Sequence, residues 1–342
     1  MFTLLFIVSI VLSCDEDETP TKPVMDDQEF TILENSEKGT AVGIVKVKNA
    51  RGNQKFTFTI SAGDPQDAFT IDVVTGEIKV NDASLIDFED DSLFELGVVA
   101  KDTINTIDLF ATVKVQVTNV VEIPENGLVA HYTFEGGNAL DVIGNNNGVV
   151  VGAVASKDRF QTSNQSFTFD GEGDYIKVSN PDFRTNTEGT FAAWVKFDKL
   201  TEIQYIASAG TESASDSYIS FIRLDPSSKT LGIYQREPGL GNWVTGTTQI
   251  QQSTYYFVVM KSDGSSWSIY INGQKEALSV VNGTNSGKWI GQLSGINNFV
   301  IGSSRIQPPY DIPNLLGSID EVLVYNRALA ECEIEQLYNE TK

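Results

Sequence analysis

The chain is predicted to be all-β, with two sandwich modules in tandem. Three observations predict it. Short segments of alternating side-chain character recur between residues 30 and 325, separated by turns rich in Gly, Asn and Ser. Aromatic residues make up 10% of the chain and glycines number 28, while helical patterns are scarce. The stretch GSIDEVLVYNRALAECEIEQLYN (317–339) then reads as a strand followed by a short helix. In its first half Ile319, Glu321, Leu323 and Tyr325 are assigned to one face, and Asp320, Val322 and Val324 to the other. After Asn326 the period becomes helical, with Ile334, Leu337 and Tyr338 in one apolar stripe. A sheet closed by a strand and covered by a short helix suits a sandwich and not an α/β enzyme. The 342 residues are enough for two domains, each with its own core.

The formal net charge of −22 repels nucleic acid and anionic membrane surfaces, so neither is an expected partner. Acidic clusters attract calcium, which takes oxygen ligands; acidity also simply keeps a surface protein soluble. Residues 1–13 form an apolar run without charge, too short to span a bilayer core of ~20 helical residues, and read as a signal peptide. Val11-Leu12-Ser13-Cys14 resembles a bacterial lipobox, which implies lipidation of Cys14. The acidic run Asp15–Glu18 resembles the tether that sends some lipoproteins to the outer face of the outer membrane, and residues 14–25 are assigned to that tether. The only other cysteine, Cys332, lies about 200° round the helix from Ile334 and is expected to be exposed. Acylation of Cys14 excludes an intramolecular disulfide.

Strand patterns fill the first module at 42–47, 56–60 and 113–117, with Gly76 in a turn. A junction follows at 121–126, where Pro124 and Asn126-Gly127 break the pattern. The second module has strands at 128–134, 167–169, 175–178, 190–197, 218–224, 231–235, 255–261, 267–271 and 299–301. Many short strands at this spacing predict a sandwich or jelly roll.

The phrases GLVAHYTF (127–134), FDG (169–171) running into DYI (174–176), FAAWV (191–195), SIYING (268–273) and the closing segment resemble the laminin-G-like, concanavalin A-like jelly roll. The resemblance covers 126–342. It implies a two-sheet lectin-type sandwich with a short C-terminal helix, a binding or adhesion module that is sometimes appended to glycan-degrading enzymes. In the first module LEN (33–35), GTAVG (39–43), TGEI (75–78), IDFE (86–89) and VAKD (99–102) resemble the landmarks of a cadherin repeat, assigned to 26–123. That resemblance implies a Greek-key sandwich stiffened by calcium at its ends.

The cadherin resemblance implies calcium at Glu34, Asp87, Glu89 and Glu122. The chain departs from the family in carrying Thr118, Val120, Val121 and Glu122 where ligands are expected, which predicts a flexible hinge at 120–126. At the other end Asn49 and Arg51 replace an acidic pair and leave Asp102 nearly alone, so no ion is expected there. In the second module Asp320 resembles the aspartate that holds a structural calcium in related β-glucanases; hydrogen bonding to nearby backbone N–H groups is the structural alternative. The acidic turn 170–174 offers a calcium loop or merely a turn.

Retaining glycosidases need two carboxylates about 5–5.5 Å apart. The runs that related glucanases use for this are missing from 126–342, apart from Glu331, Glu333 and Glu335 on the helix. His131, the only histidine, sits in a strand pattern without a serine or cysteine motif, so neither a hydrolytic triad nor a histidine metal site is expected. Tyr234, Trp243, Trp289 and Tyr310 lie in or beside polar loops and are the candidate sugar platforms; Trp194 and Trp267 are expected in the core. The sequence thus predicts a non-catalytic, lipid-anchored outer-membrane surface protein. Its cadherin-like stalk carries a laminin-G-like head that binds a glycan or a surface protein with calcium assistance. The alternatives are an accessory subunit of an outer-membrane complex and, less favoured, a glycoside hydrolase.

Overall fold

The computed structural model describes residues 22–342 apart from 53, 65, 89, 105–106, 211–216 and 305–313. The signal segment, Cys14, Glu89 and Tyr310 therefore lie outside the described residues. The chain divides into two compact units, the first ending at Val120 and the second running from Val121 to Lys342. Among the described residues no helix is long and apolar enough to cross a membrane.

The first unit contains β1 (Gln28–Leu33), β2 (Ala41–Ile44), β3 (Phe56–Ala62), β4 (Phe69–Ile71), β5 (Glu77–Val80), β6 (Leu93–Asp102) and β7 (Asp108–Thr118). They form two sheets, β1-β7-β6-β3 and β2-β5-β4. β1 joins β7 in parallel, and the remaining pairs are antiparallel. Period-two patterning builds the core: Leu96, Val98 and Ala100 of β6 and Val113, Val115 and Val117 of β7 are buried against Phe69, Ile78 and Val80 of the smaller sheet. Gly76 turns the chain into β5 at φ 73°, where a Cβ would also meet the Val45 carbonyl at 3.1 Å.

The second unit begins with β8 (Leu128–Tyr132), β9 (Val149–Val151), β10 (Val154–Ser156), β11 (Ser166–Asp170) and β12 (Tyr175–Ser179). β13 (Gly189–Phe197), β14 (Gln204–Gly210), β15 (Tyr218–Asp225), β16 (Thr230–Glu237) and β17 (Leu240–Thr245) follow. The remaining elements are β18 (Tyr255–Ser262), β19 (Trp267–Ile271), β20 (Gln274–Lys275), β21 (Ser279–Asn282), β22 (Asn298–Ile301), β23 (Leu316–Tyr325) and α1 (Glu331–Thr341). One eight-stranded sheet runs β10-β11-β23-β13-β18-β19-β20, with β8 also on β23; the other runs β21-β17-β16-β15-β14-β22-β12-β9. Their facing sides share one apolar core, from Phe191, Val195 and Val258 on the first sheet to Phe221, Ile233 and Phe299 on the second. Each such side chain contributes about 1.5–3 kcal/mol relative to exposure.

The outer side of the first sheet is also apolar. Trp194, Phe257, Leu323 and Tyr325 are buried there with Ile334 and Leu337 of α1. The predicted stripe thus packs as expected, and Cys332 is exposed. Glu333 ion-pairs with Arg327 at 2.6 Å and accepts from the Ala330 N–H at 2.7 Å, fixing the start of α1.

The simple alternation expected along β23 does not hold. Ala193 pairs with Val322 but Trp194 pairs with Asp320, leaving Glu321 as an extra residue at φ 58°. This bulge resets the pleat. Ile319, Val322 and Val324 all join the inner core, while Leu323 and Tyr325 turn outward under α1.

Candidate ligand-binding face

The outer side of the second sheet carries a polar and aromatic patch built by strand register. One transverse row runs Ser208–Ser220–Tyr234–Trp243 across β14, β15, β16 and β17. The adjacent row runs Tyr205–Arg223–Gly232–Thr245 across the same strands. Arg223 reaches this side because β15 is bulged between Ser220 and Arg223, where Phe221 and Ile222 both enter the core.

Arg223 is 7% exposed, with its guanidinium carbon 4.4 Å from the centre of the Trp243 ring, 5.4 Å from Tyr234 and 6.0 Å from Tyr205. Tyr218 stands 5.7 Å from Tyr234. The Trp243 ring has room because its diagonal neighbour on the adjacent strand is glycine: a Cβ on Gly232 would lie 3.2 Å from the indole nitrogen and 2.5 Å from the Val244 carbonyl. Ring contacts hold the cation but satisfy none of its N–H groups. Arg223 Nε, Ser220 Oγ and Trp243 Nε1 are all buried without a hydrogen-bond partner. Such groups are uncommon in folded proteins, and these three fall in one patch.

Of the predicted sugar platforms, Tyr234 and Trp243 are therefore brought together as a directly opposed cross-strand pair. Trp289 is not a platform. It is 0% exposed in the core, edge-on to Phe221 at 5.0 Å, and its ring occupies the space a Cβ would take on Gly189. The expectation for Trp289 is corrected: its loop turns inward and fills the end of the sandwich. Trp267 is buried in the same core, and Trp194 is buried beneath α1. Arg223, Ser220, Tyr205 and Tyr218 were not anticipated from sequence.

The predicted calcium residues are placed differently. Glu34 is 4% exposed, and its two carboxylate oxygens accept from the Phe88 N–H at 2.9 Å and from the Val120 N–H. Asp87 Oδ1 accepts from the Asp90 N–H at 3.3 Å. Glu122 belongs to the second unit, where its N–H donates to Glu340. Asp102, 0% exposed, accepts from Gln54 at 3.0 Å and from the Ile104 N–H at 2.8 Å. In the 170–174 turn the carboxylates take up neighbouring backbone N–H groups, Asp174 from Asp170 and Asp170 from Glu172.

The expectation for Asp320 is corrected too. Its carboxylate is held by the Arg159 guanidinium at 2.6 Å, which repels a second cation, and burial pushes it up to about 6. Glu321 shares Arg159 at 3.3 Å and meets His131 Nε2 at 3.0 Å. This cluster lines a cleft of about 320 Å³, but its charges satisfy one another and tie the closing strand to the end of α1. Among the described residues no three His, Cys, Asp or Glu side chains converge as a metal site.

Residues 28–118 match the model of the cadherin domain, and residues 170–335 match that of the concanavalin A-like lectin/glucanases superfamily. The first unit thus carries a cadherin domain and the second a concanavalin A-like domain. Cadherin domains generally bind calcium. A stretch of 133 residues is 29% identical to Protocadherin Fat 4 of Homo sapiens; the match covers 36% of this chain and only 3% of that protein. Similar solved structures include domain 4 of an extracellular arabinanase from Geobacillus stearothermophilus in complex with arabinotriose. It is 18% identical over 62% of this chain and 98% of that one, with a TM-score of 0.48. The sialidase of Trypanosoma rangeli in complex with sialic acid is 18% identical over 71% of this chain and 42% of that one, also at 0.48.

Proposed function

We propose that this chain, a cadherin domain followed by a concanavalin A-like domain, is a surface adhesion protein that binds a glycan without transforming it. Binding or adhesion is what the two domain types suggest; the glycan and the absence of turnover are our reading. The observation that carries it is the Tyr234–Trp243 pair beside buried, unpartnered donors on Ser220, Arg223 and Trp243. Aromatic rings offer stacking to the apolar faces of sugars, and the Arg223 guanidinium beside them adds a charged group.

Two features support binding over hydrolysis. Neither row of the patch contains a carboxylate, whereas glycoside cleavage requires a pair of them. The carboxylates of buried Asp320 and partly buried Glu321 are engaged by Arg159. The cadherin domain serves as a spacer, and lipidation of Cys14 holds the protein at the bacterial outer membrane, exposed at the cell surface. A glycan array probed with the full chain and with Trp243→Ala tests the reading. Retention that Trp243→Ala abolishes supports it. Silence on the array together with co-purification of a fixed protein favours an accessory subunit, and release of shortened sugars favours a hydrolase.

A further inference from the structure

Arg223 is a nearly buried cation whose charge is met by no ion pair among the described residues. Asp225, two positions along the same strand, spends Oδ1 on the Ser227 N–H at 2.9 Å and the Ser227 hydroxyl at 2.6 Å. Its carboxylate feels Arg223 at a distance but does not satisfy Nε, which is left without an acceptor. Burial of a charged donor without an acceptor is costly, and a neutral sugar hydroxyl compensates only part of that cost. A guanidinium presents neighbouring N–H groups in a fixed fork that fits the two oxygens of a carboxylate or sulfate.

Resting on the proposed glycan-binding face, we propose that the ligand is an acidic saccharide whose oxyanion is received by Arg223 while its ring lies against Trp243 and Tyr234. The chain's net charge of −22 opposes a polyanion, so the site selects a single acidic group on the sugar and not a densely charged polymer.

The test is an array of matched oligosaccharides, each uronic acid present as the free acid and as its methyl ester, and each galactoside with and without a 6-sulfate. It is probed with the full chain and with Arg223→Gln, Arg223→Lys and Trp243→Ala, each checked by melting temperature. The comparison within a matched pair needs only the wild type. At least one acidic member is expected to bind roughly tenfold or more tightly than its neutral partner. That preference should vanish in Arg223→Gln and weaken in Arg223→Lys. Preference for free acids alone identifies a carboxylate, and preference for sulfated sugars alone identifies a sulfate. Equal binding of both members, unchanged in Arg223→Gln but lost in Trp243→Ala, overturns the acidic ligand and leaves the face intact. Binding unaffected by Trp243→Ala, or no binding of any pair, overturns the face as well.

Discussion

Arg159 Nη1 donates to Asp320 Oδ2 across 2.6 Å, from a guanidinium 13% exposed to a carboxylate 4% exposed. The same guanidinium donates through Nε to the Thr341 carbonyl at 2.7 Å and lies 5.0 Å from the Trp194 ring centre. One side chain therefore joins the bulged closing strand, the strand beside it and the end of α1. Arg159→Gln leaves buried Asp320 and partly buried Glu321 without their cation and is expected to cost about 3–5 kcal/mol at pH 7. Calorimetry checks this; a change below about 1 kcal/mol would count against the lock.

The pH dependence follows from Asp320. Burial pushes its carboxyl up to about 6 although Arg159 pulls it down. The folded value lies above the unfolded one of about 3.9, so between them the folded state holds the extra proton. Its contribution is fully present below about pH 4 and is lost as pH rises through about 6. Asp320→Asn cannot titrate, so its stability relative to wild type should rise by on the order of 1–3 kcal/mol from pH 4 to pH 7. Urea melts across that range measure the difference, and a pH-independent gap would contradict it.

The two loop tryptophans should behave oppositely. Trp289→Ala empties a site in the core and is expected to cost about 3–5 kcal/mol. Trp243→Ala, at the partly exposed face, should change stability far less and abolish glycan retention. Melting and retention measured on both variants separate the roles; equal melting losses would mean that Trp243 is mainly structural.

Calcium should not stabilise the protein through Glu34 or Asp320, whose carboxylates are held by protein donors. At a millimolar excess of 100-fold over its dissociation constant, a bound ion would add about 2.7 kcal/mol. Melting in EGTA and in calcium is expected to coincide. Glu34→Ala should instead cost roughly 2–4 kcal/mol in the first unit, because the buried carboxylate joins Phe88 and Val120 by charge-assisted hydrogen bonds. A calcium-dependent melt would restore the metal reading.

Strands such as 190–197 and 255–261 were legible as apolar runs bounded by polar turns, because both faces of the first sheet are covered. β14 and β17 were not: QYIASAG ends in four small residues, and LGNWVT is short and broken by glycine. Tyr234 and Trp243 were found by their polar surroundings, although β17 itself was missed. Arg223 was hidden by a bulge. Strict alternation places it with Ile219 and Phe221 inside, and only the consecutive core residues Phe221 and Ile222 signal the reset. Glu321 hides the facing of β23 in the same way. Trp289 sits in a loop without periodicity, so its inward turn leaves no local trace.

The four tryptophans make the central claim directly measurable. A two-dimensional nitrogen–proton spectrum resolves each indole N–H while an array-retained glycan is titrated into the full chain. The Trp243 signal is predicted to shift with the Trp194, Trp267 and Trp289 signals fixed and the sugar resonances chemically unchanged. A static Trp243 signal, or the growth of cleaved-sugar resonances, would contradict binding without turnover at this face.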